Sequence, residues 1–82
     1  MKDKRKKVYV DVLLRQEKNG KIRPLALTWE NGEVYEIDKV TEVCKAASLK
    51  AGGAGLRFTC RIRGRESYLF LEEDRWFVEA KL

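Results

Sequence analysis

Histidine is absent from this 82-residue chain, and cysteine occurs only twice. The missing histidine removes the commonest general base and the commonest metal-ligating side chain, which excludes hydrolytic triads and His-based zinc chemistry. Cys44 and Cys60 are too few to staple a small secreted fold and too widely spaced for a zinc motif. They read as small apolar side chains in or near a core, reduced, and set opposite each other if a hairpin is centred on Gly52. No apolar run approaches the roughly 18 residues of a membrane-spanning helix, and the N-terminal charges lead into a strand pattern rather than a signal-peptide core. The expectation is a cytoplasmic chain with no cofactor, no metal and no membrane contact. No nucleophile–base pair or pair of catalytic acids can be assembled from these residue types, so an enzyme is not expected.

What is present is a mix of 44% hydrophobic and 38% charged residues, which suits a folded domain with a heavily charged surface and argues against general disorder. Eighty-two residues hold one domain, near the lower limit for an independent core. The net charge of +5 is unevenly placed. Residues 2–7, KDKRKK, carry five bases and one acid, leaving 13 bases against 12 acids in the rest. The body is nearly neutral. Residues 1–7 are therefore expected to form a flexible basic tail, with residues 8–82 as a single β-barrel domain.

Val8, Val10, Val12 and Leu14 alternate with polar positions and predict a half-buried strand. A turn at QEKNG leads to a second strand, KIRPLALTWE, where Pro24 lies between Ile22 and Leu25 of opposite parity; a bulge or an edge position is expected there. Asn31 and Gly32 suggest a two-residue turn, but that register mixes the faces. A three-residue loop ending in a glycine bulge instead pairs Trp29 with Glu33, Leu27 with Tyr35 and Leu25 with Ile37, gathering Leu25, Leu27, Tyr35 and Ile37 on one side. Residues 38–51 fit either a strand to about Lys45 or one short helix. The Gly-rich AGGAG stretch lacks a P-loop ending and reads as a hairpin connection.

The last third, from GLRFTCRIRGRESYLF onward, sorts into two faces. With tight turns at Gly64–Arg65 and Glu73–Asp74, one face of a three-stranded meander gathers Phe58, Cys60, Ile62, Leu69, Leu71, Trp76 and Val78. The other carries three rows: Arg57, Glu72, Arg75; Thr59, Phe70, Phe77; and Arg61, Tyr68, Glu79. Two readings of that second face compete. Ion pairs and cation–π contacts could simply cover the outside of the sheet, or the strongly curved N-terminal hairpin could fold over Phe70 and Phe77. Alternatively Arg57, Arg61, Tyr68, Phe70, Arg75 and Phe77 form a recognition surface on which bases or aromatic peptide side chains stack while guanidinium groups hold phosphate or carboxylate.

The segments RPLALTWENGEVYEIDKV, AASLKAGGAGLRFTCRI and YLFLEEDRWFVEAK resemble a group of small uncharacterised bacterial proteins of about this length. The resemblance implies no activity and assigns no functional residue. Strand pattern and tight turns together predict a mainly β fold, a small antiparallel SH3-like barrel of five or six strands, with one short helix as the alternative. The expected function is a non-enzymatic binding module contacting protein or single-stranded nucleic acid through the arginine–aromatic face. The alternative is an accessory subunit that pairs through an exposed edge strand.

Overall fold

The computed structural model describes residues 5–45 and 55–81. Among them run eight strands and no helix: β1 (Arg5–Tyr9), β2 (Asp11–Gln16), β3 (Ile22–Thr28), β4 (Val34–Glu36), β5 (Lys39–Lys45), β6 (Leu56–Ile62), β7 (Arg65–Glu72) and β8 (Arg75–Lys81). They form two antiparallel sheets, one ordered β1-β8-β7-β6-β5 and the other β2-β3-β4. The chain changes sheet at two corners. Val10 separates β1 from β2, and Ile37 with Asp38 separates β4 from β5. The apolar stretch that begins at Val8 is thus two strands, and its break is marked by the Val10 N–H, which donates to the Trp76 carbonyl at 3.1 Å before the chain turns away.

β1 takes in the last three residues of the segment expected as a tail: Arg5, Lys6 and Lys7 pair with Lys81, Ala80 and Glu79 at the edge of the larger sheet, so the strand begins ahead of residue 8. Of residues 38–51, those up to Lys45 are strand, and the helix alternative falls. Most of the AGGAG stretch, with the rest of residues 46–54, lies outside the described residues.

Turn chemistry fixes the registers. In the β3–β4 hairpin Trp29 N–H donates to Glu33 C=O, Leu27 faces Tyr35, and Ile37 N–H donates to Leu25 C=O, with Gly32 at φ 88°, where only a residue without Cβ sits at ease. This is the three-residue loop with its glycine bulge. Between β2 and β3 the register shifts after Leu13: Leu13 faces Ala26 and Leu14 faces Pro24, so Leu25 is the extra residue of a bulge. Bulging turns Leu25 out, where it is 39% exposed, and it does not join the gathered side chains as alternation predicted. Pro24 is tolerated in the middle strand because β4 has already left the sheet at that level, leaving no ladder bond for the missing N–H to make.

The β6–β7 turn is Arg63–Gly64 rather than Gly64–Arg65. Both central residues have positive φ, 52° and 76°, the I′ geometry that places glycine second. Each partner moves by two, to Arg57 with Phe70, Thr59 with Tyr68 and Arg61 with Glu66, but parity and hence the faces are kept. The Glu73–Asp74 turn pairs Glu72 with Arg75, Leu71 with Trp76 and Phe70 with Phe77, as expected.

The core lies between the sheets. Buried Phe58, Cys60 and Leu69 of the larger sheet meet Leu27 of the smaller, and Val10, Val12, Tyr35, Ile37, Leu71, Trp76 and Val78 pack around them. Trp76 tilts against Phe58 with ring centroids 5.1 Å apart. The cysteines are not partners. Cys60 faces Val40 on the core side, whereas Cys44 faces Arg57 on the opposite side of the sheet, because a second register shift between Val40 and Glu42 offsets β5 on β6. Both are free thiols.

Candidate interaction surface

The outer face of the five-stranded sheet is built around one row that crosses all five strands: Cys44, Arg57, Phe70, Phe77 and Tyr9. Its middle is an aromatic stack. Phe70 and Phe77 lie parallel, 5.2 Å apart with a 5° interplanar angle, and Tyr9 meets Phe77 edge-on at 5.6 Å. Lys7, two residues before Tyr9 on the same face, holds its ammonium 4.5 Å over the Phe77 ring and donates to Glu72 Oε1 at 3.1 Å. Phe77 is 0% exposed and Phe70 5%.

Burial divides the six residues singled out from sequence. Phe70 and Phe77 are inside and offer no ring to a partner, so the surface is narrower than alternation implied. Arg61, Tyr68 and Arg75 are exposed, and Arg57 is half-buried. Arg57 lies 4.7 Å over the Tyr68 ring, and Arg75 lies 3.7 Å over the Tyr9 ring. Tyr9 and Tyr68 are both 44% exposed, so two arginine-capped tyrosines flank a closed phenylalanine floor. Arg61 stands apart, paired across the strand with Glu66 and donating from Nη1 to the Gly64 carbonyl at 3.2 Å. The structure therefore brings Arg57, Tyr68, Phe70 and Phe77 together, attaches Arg75 through Tyr9, and leaves Arg61 at the margin.

Among the described residues two buried polar atoms on this face, Arg57 Nε and Thr59 Oγ1, have no hydrogen-bond partner. Glu72 is buried against Gly55, where an added Cβ would strike the Glu72 side chain and come within 2.8 Å of the Leu71 carbonyl oxygen. The acids Glu42, Glu66, Glu72 and Glu79 share the face with Lys7, Lys39, Arg57, Arg61 and Arg75. Among the described side chains this mix of four acids and five bases gives no broad positive field for a polyanion.

Sequence reasoning missed Lys7 and Tyr9, assigned to a tail and to the start of one long strand. The available signal was their odd parity with Asp11, opposite the apolar even positions. It also missed the cluster at the seam of the two sheets. There Arg63, in the β6–β7 turn, lies 4.2 Å over the Tyr35 ring and 3.6 Å from Glu33 Oε2, while the Tyr35 hydroxyl donates to Glu33 Oε1 at 2.9 Å. The Tyr35 hydrogen bond, followed by the charge of Arg63, holds the Glu33 carboxyl below its usual range, and that same bond raises the Tyr35 phenol. No sequence separation of this size is visible without the register of both hairpins.

Burial pushes the Cys60 thiol up to about 11, so it is protonated and inert as a nucleophile near neutral pH. An opening of about 360 Å³ at one end of the core, lined by Ile22, Val40, Val43, Leu56 and Phe58 and edged by Lys21 and the Glu17–Arg23 ion pair, is mainly apolar. Among the described residues no three metal-ligating side chains gather. No protein-family model, curated protein or solved structure matches the chain.

Proposed function

We propose that the chain is a non-enzymatic binding module, a small SH3-like barrel whose two sheets are joined at the Val10 and Ile37–Asp38 corners, and that it contacts a protein partner through the outer face of its larger sheet. The observation that carries this reading is the pair of exposed tyrosines, Tyr9 and Tyr68, each held by an arginine and set on either side of a rigid Phe70–Phe77 floor. Such rings present large, pre-ordered contact area, and the guanidinium groups supply donors to carboxylate or backbone carbonyl on the partner. The acids interleaved with the bases of that face favour a protein over single-stranded nucleic acid, whose stacking sites would have to include the buried phenylalanines. The setting proposed is the cytoplasm, in keeping with the two free thiols.

Chemical-shift mapping on the isotope-labelled protein tests this, with an acidic phenylalanine-containing peptide and an oligothymidylate as the two probes. The peptide should move the amides of Tyr9, Arg57, Tyr68 and Arg75, and Tyr68→Ala should weaken it about fivefold or more. Shifts confined to the basic N-terminal residues, or produced by the oligonucleotide alone at the tyrosines, would overturn the reading.

A further inference from the structure

The second strand carries a different kind of surface. β2 is the edge of the smaller sheet, with no strand on its outer side among the described residues. The Glu17 N–H donates to the Lys21 carbonyl, so odd-numbered residues of β2 direct their backbone groups toward β3, and the N–H and C=O of Val12 and Leu14 point away from the sheet. On that outer side the last backbone bond among the described residues is Val10 N–H to Trp76 C=O. Beyond it, β8 diverges and leaves a groove of about 550 Å³ between residues 9–12 and 74–76.

Edge strands of monomers are ordinarily blunted by lysine, proline, a bulge or a covering loop. β2, DVLLRQ, has neither lysine nor proline, its bulged residue lies on the neighbouring strand, and Leu13 is 65% and Leu14 38% exposed. The charges on this strand are symmetric about Leu13, with Asp11 two residues before it and Arg15 two residues after. Neither is in an ion pair among the described residues, and Arg15 faces Arg23 across the strand, a like-charge pair that Glu17 relieves only on the Arg23 side.

We propose that β2 pairs antiparallel with β2 of a second copy of this chain about a two-fold axis at Leu13, joining the two small sheets edge to edge. In this register Val12 faces the partner's Leu14 as a hydrogen-bonded pair, which uses the backbone groups that point outward. Leu13 then meets the partner's Leu13, and Asp11 meets the partner's Arg15, in the closer, non-hydrogen-bonded positions where side chains interact best. The contact is isologous, so it closes at two copies and does not propagate. The groove beside Val10 gives room for the partner's Gln16. The groove borders Tyr9 and Arg75, but the pairing leaves Arg57 and Tyr68 of the larger sheet free, so peptide-induced shifts at those two residues let this inference and the binding-module reading fail separately.

Sedimentation equilibrium on the full chain over a wide concentration range tests it through charge swaps. The wild-type chain should dimerise reversibly. Asp11→Arg alone or Arg15→Asp alone sets like charges opposite each other twice per dimer and should weaken association about tenfold or more. The double variant D11R/R15D restores both pairs and should dimerise as the wild type does, and the two single variants mixed together should form the heterodimer that neither forms alone. Circular dichroism on each variant establishes that the fold is retained. A wild-type chain that stays monomeric at every concentration, a dimer indifferent to both single changes, or a loss that neither the swap nor the mixture repairs would each overturn the proposal.

Discussion

The outer faces of the two sheets reverse what their compositions suggest. That of the five-stranded sheet is rich in charge, yet Phe70, Phe77, Thr59 and Glu72 on it are buried. That of the three-stranded sheet is the more apolar, yet Leu13, Leu25 and Val34 are 65%, 39% and 55% exposed. The difference lies in lateral cover. Phe70 and Phe77 sit on adjacent inner strands and cover each other, and Phe77 is further covered by Tyr9 and Lys7 from β1. Leu13 sits on an edge with a strand on one side only, and the short β4 and the bulge at Leu25 thin the cover of that sheet further. Alternation assigns a side chain to a face; the number of strands beside it decides whether that face is wet.

If the phenylalanine stack is a second core, its loss should match that of the first. Phe77→Ala is expected to destabilise by about 3 to 5 kcal/mol, comparable to Phe58→Ala, and Phe77→Leu by about 1 to 1.5 kcal/mol should the alanine variant fail to fold. Leu13→Ala, on the thinly covered sheet, should change monomer stability by less than about 0.5 kcal/mol. Urea unfolding at low protein concentration reads all three. A Phe77→Ala midpoint close to that of Leu13→Ala would mean that the two faces do not differ.

Much of this contrast was legible and part was not, for a physical reason in each case. The glycine bulge of the β3–β4 hairpin and the Glu73–Asp74 turn follow from parity, because a one-residue slip would put leucines and glutamates on the same side. The β6–β7 turn was misplaced by one residue, which moves each partner by two: every face is kept, but the rows change and Arg57 meets Phe70 instead of Glu72. Alternation left open whether the N-terminal part of the chain covers Phe70 and Phe77, because their burial depends on Lys7 and Tyr9 arriving from the other end of the chain through β1–β8 pairing. It could not foresee the Arg63 cluster, which requires two hairpins on different sheets to meet.

The next largest effect concerns the base that seals the stack. Lys7 lies over Phe77 and bonds to the nearly buried Glu72, so Lys7→Met withdraws the ammonium from a carboxylate in a place poor in water. A loss of about 1 to 3 kcal/mol is expected, partly recovered by adding Glu72→Gln. Reversing a charge at Arg15, on the open edge, should leave monomer stability within about 0.5 kcal/mol. Equal losses at Lys7 and Arg15 would place β1 and β2 on the same footing and break the comparison.

Cys60 and Cys44 sharpen it by chemistry. A thiol reagent should modify Cys44 in the native state and leave Cys60 until the sheets open. Because burial raises the Cys60 thiol from its ordinary 9.0 to about 11, the folded state keeps a proton that the unfolded state releases first. Cys60 should therefore make stability fall as pH rises from about 9 to about 11, by at most about 1.4 kcal/mol per pH unit, and Cys60→Ala should remove that share of the slope, leaving what the raised Tyr35 phenol contributes at the upper end. A slope undiminished in Cys60→Ala would assign it to other groups.

The smallest effect lies at the seam. Arg63, from the larger sheet, caps Tyr35 and approaches Glu33 of the smaller one, but all the charged atoms are open to solvent, so Arg63→Ala should lower stability least of the series. Its signature is in the phenol. The bond to Glu33 raises the Tyr35 pKa, while the positive charge of Arg63 lowers it by a lesser amount. Glu33→Gln should therefore bring the Tyr35 titration down toward its ordinary 10.0, whereas Arg63→Ala should move it further up. Ultraviolet absorbance titration separates the two. Movement in the same direction for both variants, or no movement, would mean that the hairpin and the turn do not meet as described and that the core alone joins the sheets.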